Sequence, residues 1–336
     1  MRAVTESITK NRQSPLTLRA MIERAYGKAL IPEGDDFAEE ITHGWFNVTY
    51  RIRLRDGQRA VLKIAPPADV AVLTREHDMM RNELAAMSLV RAHTEVPIPR
   101  VDHADLSREL IDADYFFMEY VDADNFGIAT AEGRLSDEVV AAGGRQLGAL
   151  NRELNSIVGP RFGPLRGPGS ATWRAAFSRM IEDTLEDGAR VNVDIGWDHD
   201  EIRAVLAENA SALDDVTEPR FVEVDLWTKN SMIREGRIVA ILDHERALYG
   251  DPLMEAGFTG IDLPAFGDPT DFMRGYGIEE LSASERVRRR LYSLGLAVVM
   301  IVETKYRGHG ETTTYDFGRE QLDLLMGAFG RRHVTR

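Results

Sequence analysis

The chain contains no cysteine. Disulfides, thiolate metal sites and a cysteine nucleophile are therefore excluded, while the redox compartment stays open. A basic surplus is missing as well, since 55 acidic residues face 41 basic ones for a net charge of −14. Phosphate backbones and anionic lipid surfaces suit such a chain poorly, so neither nucleic acid nor membrane is an expected partner. The acidity reads first as a solubility feature and, more sharply, as a cleft that attracts cations. Long apolar runs are absent. LYSLGLAVVMIVETKY (291–306) is too short and too closely flanked by charge to span a bilayer, and it reads as a buried helix. MRAVTESITKNRQSP has no apolar core of the length a signal peptide needs, which makes the cytoplasm the expected location. No internal repeat or low-complexity tract occurs. What remains is a 336-residue chain, 43% hydrophobic and 29% charged, with the profile of a globular protein built from two packed units.

Periodicity gives the organisation. PLTLRAMIERAYG (15–27) is a short amphipathic helix opened by proline and closed by glycine. In NVTYRIRLRDGQRAVLKIA (47–65), Val48, Tyr50, Ile52 and Leu54 share one face, and Asp56-Gly57 turns the chain into a hairpin. The spacing of Leu73, His77, Met80, Leu84, Met87 and Arg91 predicts a helix over 70–92. VPIPRV ends it, and YFFMEYV (115–121) is a short apolar strand. Helical patterns then dominate, over 137–155, 172–191 and 198–213, with closing helices over 282–307 and 315–330. One β element interrupts them: FVEVD (221–225), then SMIREGRIVAILDHE (231–245) with a turn at Glu235-Gly236. Strands and helices are segregated, which predicts an α+β fold. A small antiparallel β-sheet N-lobe (1–120) precedes a larger, mainly helical C-lobe (121–336), with the boundary near Tyr120 to Asp124.

Chemistry concentrates in FVEVDLWTKN (221–230). Asp225 and Asn230 have the D-L-x-x-x-N spacing of a kinase catalytic loop. An acid at a strand end can accept the proton of an attacking hydroxyl, and an amide five residues on can reach a Mg²⁺ that neutralises ATP phosphates. A strand end running into a polar turn gives the same spacing with no chemistry. Further on, the apolar IVAIL ends in Asp243-His244-Glu245, and Asp243 supplies a second Mg²⁺ ligand. Upstream, AVLK places Lys63 where a kinase holds nucleotide phosphates. A lone strand lysine is usually a snorkelling surface residue. Its order before a helical acid, Glu76 or Glu83, and before the Asp/Asn loop favours the functional reading.

In these motifs the chain resembles the aminoglycoside phosphotransferase and choline kinase-like family of small-molecule kinases along nearly its whole length. THGWFNVTYRI resembles the family's nucleotide-positioning loop and includes Asn47, ELAAMSLVRAHTEVPIPRV its helix and turn, and LDHERALYGDPLMEAGF its D-x-E-x-A-x-x-G-D-P block. The resemblance implies a bilobal protein kinase-like fold, and it places the lysine's partner at Glu83. It makes YFFMEYV a hinge whose backbone at Glu119 and Val121 holds the adenine edge. It also implies ATP, or GTP, as donor, Mg²⁺ on Asn230 and Asp243, and Asp225 as catalytic residue. The acceptor would be a hydroxyl of a small molecule such as an aminoglycoside or another antibiotic. A kinase of a primary metabolite (choline, a sugar, homoserine) and an inactive nucleotide-binding relative are the alternatives.

The chain departs from the family pattern at several points. Glu223-Val224-Asp225 replaces His-Gly-Asp, Asn155 stands for a histidine before "FG", and Glu255 is the acid after G-D-P. Gly44 is alone in the nucleotide loop, and no A-P-E segment follows Asp243, so a protein substrate is not expected. On a strand Glu223 and Asp225 would share a face, and two close carboxylates raise one pKa unless a cation lies between them. The expectation is that Glu223 pairs with an arginine or lysine as a brace; a metal or substrate contact, or an inactive protein, are the other readings. Asp194, Asp198, Asp200 and Glu201 around Trp197 form either a rim for a cationic acceptor or ordinary helix-start acids. Glu303, Tyr306 and His309 are further candidates for the acceptor pocket.

Overall fold

The computed structural model describes residues 7–42, 44–309 and 313–332. His43 of the THGW segment and the first six residues of the N-terminal stretch lie outside the described residues. The chain divides into two compact units. The first comprises Met1–Val72, Pro99–Asp122 and Tyr306–Gly310, and the second comprises Leu73–Ile98, Ala123–Lys305 and Glu311–Arg336. One change of unit falls after Asp122. The segments Leu73–Ile98 and Tyr306–Gly310, however, each belong to the unit that a single cut at residue 120 would not give them.

In the first unit, α1 (Pro15–Tyr26) starts at Ser14, whose side chain accepts from Thr17 N, and stops at Gly27 with φ 86°. Five strands, β1 (Ala38–Glu40), β2 (Val48–Arg53), β3 (Arg59–Ile64), β4 (Val101–Asp105) and β5 (Tyr115–Glu119), form an antiparallel sheet in the order β1-β2-β3-β5-β4. Val48, Tyr50 and Ile52 of β2 are buried alternately, as the pattern requires, and pack with Leu18, Met21 and Ile22 of α1.

The second unit opens differently from the expected helix over 70–92. A 3₁₀ turn at Thr74–Glu76 comes first, and α2 runs only over Met79–His93. There are two causes, one distant in sequence and one local. Asp187 accepts from both Thr74 N and Thr74 Oγ1 at 2.7 Å, and Asp78 adopts φ 61°, which no α-helix tolerates.

Then follow β6 (Asp124–Asn125), α3 (Phe126–Ala131), α4 (Asp137–Leu154), β7 (Gly163–Pro164), α5 (Trp173–Arg190) and α6 (His199–Asn209). After them come β8 (Arg220–Val222), β9 (Ser231–Arg234), β10 (Arg237–Ile241) and β11 (Leu248–Gly250). The chain ends in α7 (Thr270–Tyr276), α8 (Ala283–Arg307) and α9 (Thr313–Ala328). Two small sheets, β10-β9-β6 and β7-β11-β8, flank residues 223–230 and 242–247. The fold is α+β, as the segregation of elements predicts. Helices α4 and α7 meet at backbone distance, because a Cβ on Gly148 would lie 2.0 Å from Phe272 O. Among the described residues no helix is long and apolar enough to cross a membrane.

Candidate active site

The strand reading of FVEVD fails after its second residue. β8 ends at Val222, and Val224 has φ 71°, a left-handed conformation that costs a β-branched residue about 1–3 kcal/mol. Glu223 and Asp225 therefore do not alternate on a common strand face. The turn is held by Glu255, which is fully buried. Its Oε2 accepts from Glu223 N (3.1 Å) and Val224 N (3.2 Å), and its Oε1 from Leu226 N (2.7 Å) and Ala256 N (3.0 Å). Burial pushes this carboxyl's pKa up and the nearby Glu223 adds to the push, while the N–H donors pull it down.

Past the turn, Thr228–Asn230 forms a 3₁₀ turn, and Asn230 Nδ2 donates to the Asp225 carbonyl at 3.0 Å. With its amide nitrogen engaged, Asn230 has Oδ1 to offer a cation. Leu242 N donates to Asn230 O (2.8 Å), which brings the end of β10 alongside. There Asp243, at φ 68°, opens a 3₁₀ turn over His244–Arg246. From α2, Asn82 Nδ2 donates to Glu245 O (3.0 Å) and Ala247 O (2.8 Å), which docks this turn on the helix. As a result Glu83, Asp243 and Glu245 each place an oxygen within 4.8 Å of the others. Three hard oxygen donors at that spacing suit a Mg²⁺ that keeps waters or phosphates in its other positions.

Asp225 has its pKa raised, chiefly by burial, with Asp243 and Glu303 adding to the rise and Arg246 and Arg75 opposing it. Arg246 stays cationic despite its own burial because Asp225 and Glu303 face it, the latter at 3.6 Å. Glu223 pairs with neither an arginine nor a lysine. Its Oε1 accepts from His244 Nδ1 at 2.6 Å, and both side chains are almost wholly enclosed. Asn155 caps α4 and donates through Nδ2 to Phe221 O at 2.6 Å, so it steadies β8 from behind.

The remaining candidates belong to the first unit. Asn47 is buried just before β2, and its carbonyl accepts from Lys10 Nζ at 2.7 Å. Lys63 lies on β3 opposite Thr49 and Phe116 and is only 6% exposed, so it is no snorkelling surface lysine. Glu119 closes β5, donating its N–H to Arg100 O at 2.8 Å, and Val121 follows beyond the strand. Tyr306 and His309 also fall in the first unit, apart from Glu303 in the second.

Of the four acids, Asp198, Asp200 and Glu201 stand at the start of α6, while Asp194 precedes it and lies 3.5 Å from Arg319. Asp198 caps α6, Asp200 pairs with Arg203, and Trp197 is buried with its Nε1 donating to Asp323 at 2.7 Å. Sequence reasoning overlooked the roles of His244 and Arg246. The signal was present as four successive ionisable residues, Asp243-His244-Glu245-Arg246, at the end of an apolar strand.

Comparison with known proteins bears on the family and the fold. The sequence profile of the phosphotransferase enzyme family matches residues 38–293. No curated protein matches the chain by sequence. A thermostable mutant of aminoglycoside phosphotransferase APH(4)-Ia, solved with AMP-PNP and hygromycin B, superposes with a TM-score of 0.68 at 16% identity, covering 94% of this chain and 100% of its own. The streptomycin–ATP complex of APH(2″)-IIa gives 0.60 at 14% identity, covering 93% and 96%. The gentamicin complex of APH(2″)-IIa gives 0.63 at 14%, with the same coverage. At these identities the likeness establishes the fold.

Proposed function

Because this chain belongs to the phosphotransferase enzyme family, we propose that it transfers the γ-phosphoryl group of ATP to a hydroxyl of a small molecule. The observation that carries the reading is the loop in which Asn230 bonds the Asp225 backbone while Asp243 gathers with Glu83 and Glu245. In this reading the acceptor oxygen attacks the γ-phosphorus, its proton passes to the Asp225 carboxylate, and the bond to the bridging oxygen of ADP breaks. Burial makes Asp225 more basic than an exposed aspartate, and Arg246 opposes that rise. Asn230 and Asp243 would hold Mg²⁺, with Glu83 and Glu245 in reach of the same place. The ion, when bound, neutralises charge on the transferring phosphates. Lys63 engages phosphate oxygens, Asn47 belongs to the nucleotide loop, and the backbone at Glu119 and Val121 serves the adenine edge.

Structural neighbours crystallised with AMP-PNP and with ATP support ATP as donor. Those crystallised with hygromycin B, streptomycin and gentamicin support an aminoglycoside-like acceptor for this chain. The test is turnover of Mg²⁺–ATP on these three compounds together with choline and homoserine. We expect phosphorylation of at least one aminoglycoside, and its loss in Asp225→Asn and in Asp243→Asn. Turnover of choline or homoserine alone would move the acceptor to primary metabolism. Absence of transfer to all five would reject the reading in favour of a nucleotide-binding protein without transfer.

A further inference from the structure

Two side chains that have no part in the transfer itself stand beside the two that do. Glu223 lies two positions before Asp225, and His244 directly follows Asp243. Their side chains are 0% and 1% exposed, and the Nδ1–H of His244 donates to Glu223 Oε1 at 2.6 Å. Among the described residues neither Glu223 Oε2 nor His244 Nε2 has another hydrogen-bond partner, so the hydrogen bonding of each side chain is committed to the other. Enclosing such a pair is rarely the most stable solution, because well-packed apolar residues of similar volume often do as well or better. Stability alone therefore does not account for joining these two segments through charge.

The backbone shows what is being joined. Each partner adjoins a strained residue, Val224 at φ 71° on the loop and Asp243 at φ 68° on the turn. Such conformations persist only where their surroundings over-determine them. Glu255 fixes the loop from one side and Asn82 fixes the turn from another. Leu242 N to Asn230 O links the two segments by backbone, and the Glu223–His244 bond links them by side chain.

We infer that Glu223 and His244 are positioning residues, a buried strut that sets the Asp225 loop against the Asp243 turn and so fixes the geometry with which the metal–nucleotide complex is bound. This rests on the assignment of Asp225 and Asp243 given above. The acid at 223, where the family pattern has histidine, is thus matched by the histidine at 244.

The test measures binding of AMP-PNP with Mn²⁺ to the full chain by calorimetry, and the Mn²⁺ signal by electron paramagnetic resonance, beside the melting temperature. Replacing both partners in Glu223→Leu/His244→Leu should leave melting at or above that of the parent. The same variant should weaken Mn²⁺–AMP-PNP binding about 10–100-fold, as removal of outer partners of a metal site does. His244→Asn places an amide N–H where Nδ1 was, whereas His244→Gln places it where Nε2 was. The asparagine variant should bind within about twofold of the parent and the glutamine variant about tenfold or more weaker. This second pair decides the matter if the leucine variant does not fold. Parent-like binding in the leucine variant, or equal binding in the asparagine and glutamine variants, overturns the strut while Asp243→Asn still abolishes Mn²⁺ binding. If Asp243→Asn itself binds Mn²⁺–AMP-PNP normally, the metal assignment falls and the strut falls with it.

Discussion

Glu255→Gln is the sharpest probe of how the catalytic loop is built. The change preserves size and shape but converts two equivalent oxygens into one acceptor and one donor. In the parent, one oxygen serves Glu223 N and Val224 N, and the other serves Leu226 N and Ala256 N. Whichever way the new amide turns, its NH₂ faces two backbone N–H groups. Leaving two buried donors without acceptors costs about 2–6 kcal/mol, at about 1–3 each. Strain of about 1–3 kcal/mol at Val224 then has less to hold it. Urea denaturation at neutral pH should show this loss directly. Activity should fall further than stability requires, because Val224 and Leu226 flank Asp225 in sequence. A displacement of about 1 Å in a reacting group can cost about 100-fold in rate. The assay is kcat at a temperature where the variant is fully folded by circular dichroism. An unchanged denaturation midpoint with unchanged kcat would refute the reasoning. It would mean that Glu255 is buried as the neutral acid and that the loop does not depend on an anion.

Three further outcomes follow from the same contacts. Gly148→Ala should destabilise by about 1–3 kcal/mol or more, since the new methyl would sit 2.0 Å from Phe272 O where α4 meets α7; an unchanged urea midpoint would deny that close approach. Val224→Gly should lose less stability than a buried Val→Gly change elsewhere, because relief of the φ 71° strain offsets part of the lost packing, and the comparison is with Val222→Gly in the same denaturation series. Asp251→Asn should cost about 3–5 kcal/mol. It leaves Arg288 (Nε at 2.7 Å) and the Tyr292 hydroxyl (2.6 Å) without their buried carboxylate, and a melting temperature equal to the parent's would show that Asp215 alone satisfies Arg288.

How much of this was legible beforehand depended on the range of the interaction that decides each feature. The hairpin at Asp56-Gly57 and the helix between Pro15 and Gly27 are decided by neighbours in sequence, and the pattern shows them. The spacing of Asp225 and Asn230 is also local, and the bond from Asn230 Nδ2 to the Asp225 carbonyl closes within the motif itself. The delayed start of α2 is not local, because Asp187 draws Thr74 out of the helical path from a distant helix. FVEVD reads as strand through Asp225 because nothing within it reveals that Glu255 will capture two of its N–H groups and that of Leu226 just after it. The burial of Lys63 is not legible either, because one strand's alternation does not say how deeply its sheet is covered.

Glu223 shows where the limit falls. The expectation of an arginine or lysine brace rested on Glu223 and Asp225 sharing a strand face, which the turn at Val224 removes. The identity of the partner does not follow, since any cation in the fold could answer an acid. The structure supplies a histidine from the turn that also carries Asp243, at a separation of 2.6 Å. A histidine offers what arginine and lysine do not, a short rigid ring with a single N–H pointed at the acid. Arginine or lysine would reach the same oxygen through a flexible stem of several rotatable bonds, and would transmit little of the turn's position to the loop. A brace made by either would hold Glu223 in place; one made by His244 holds Asp243 as well.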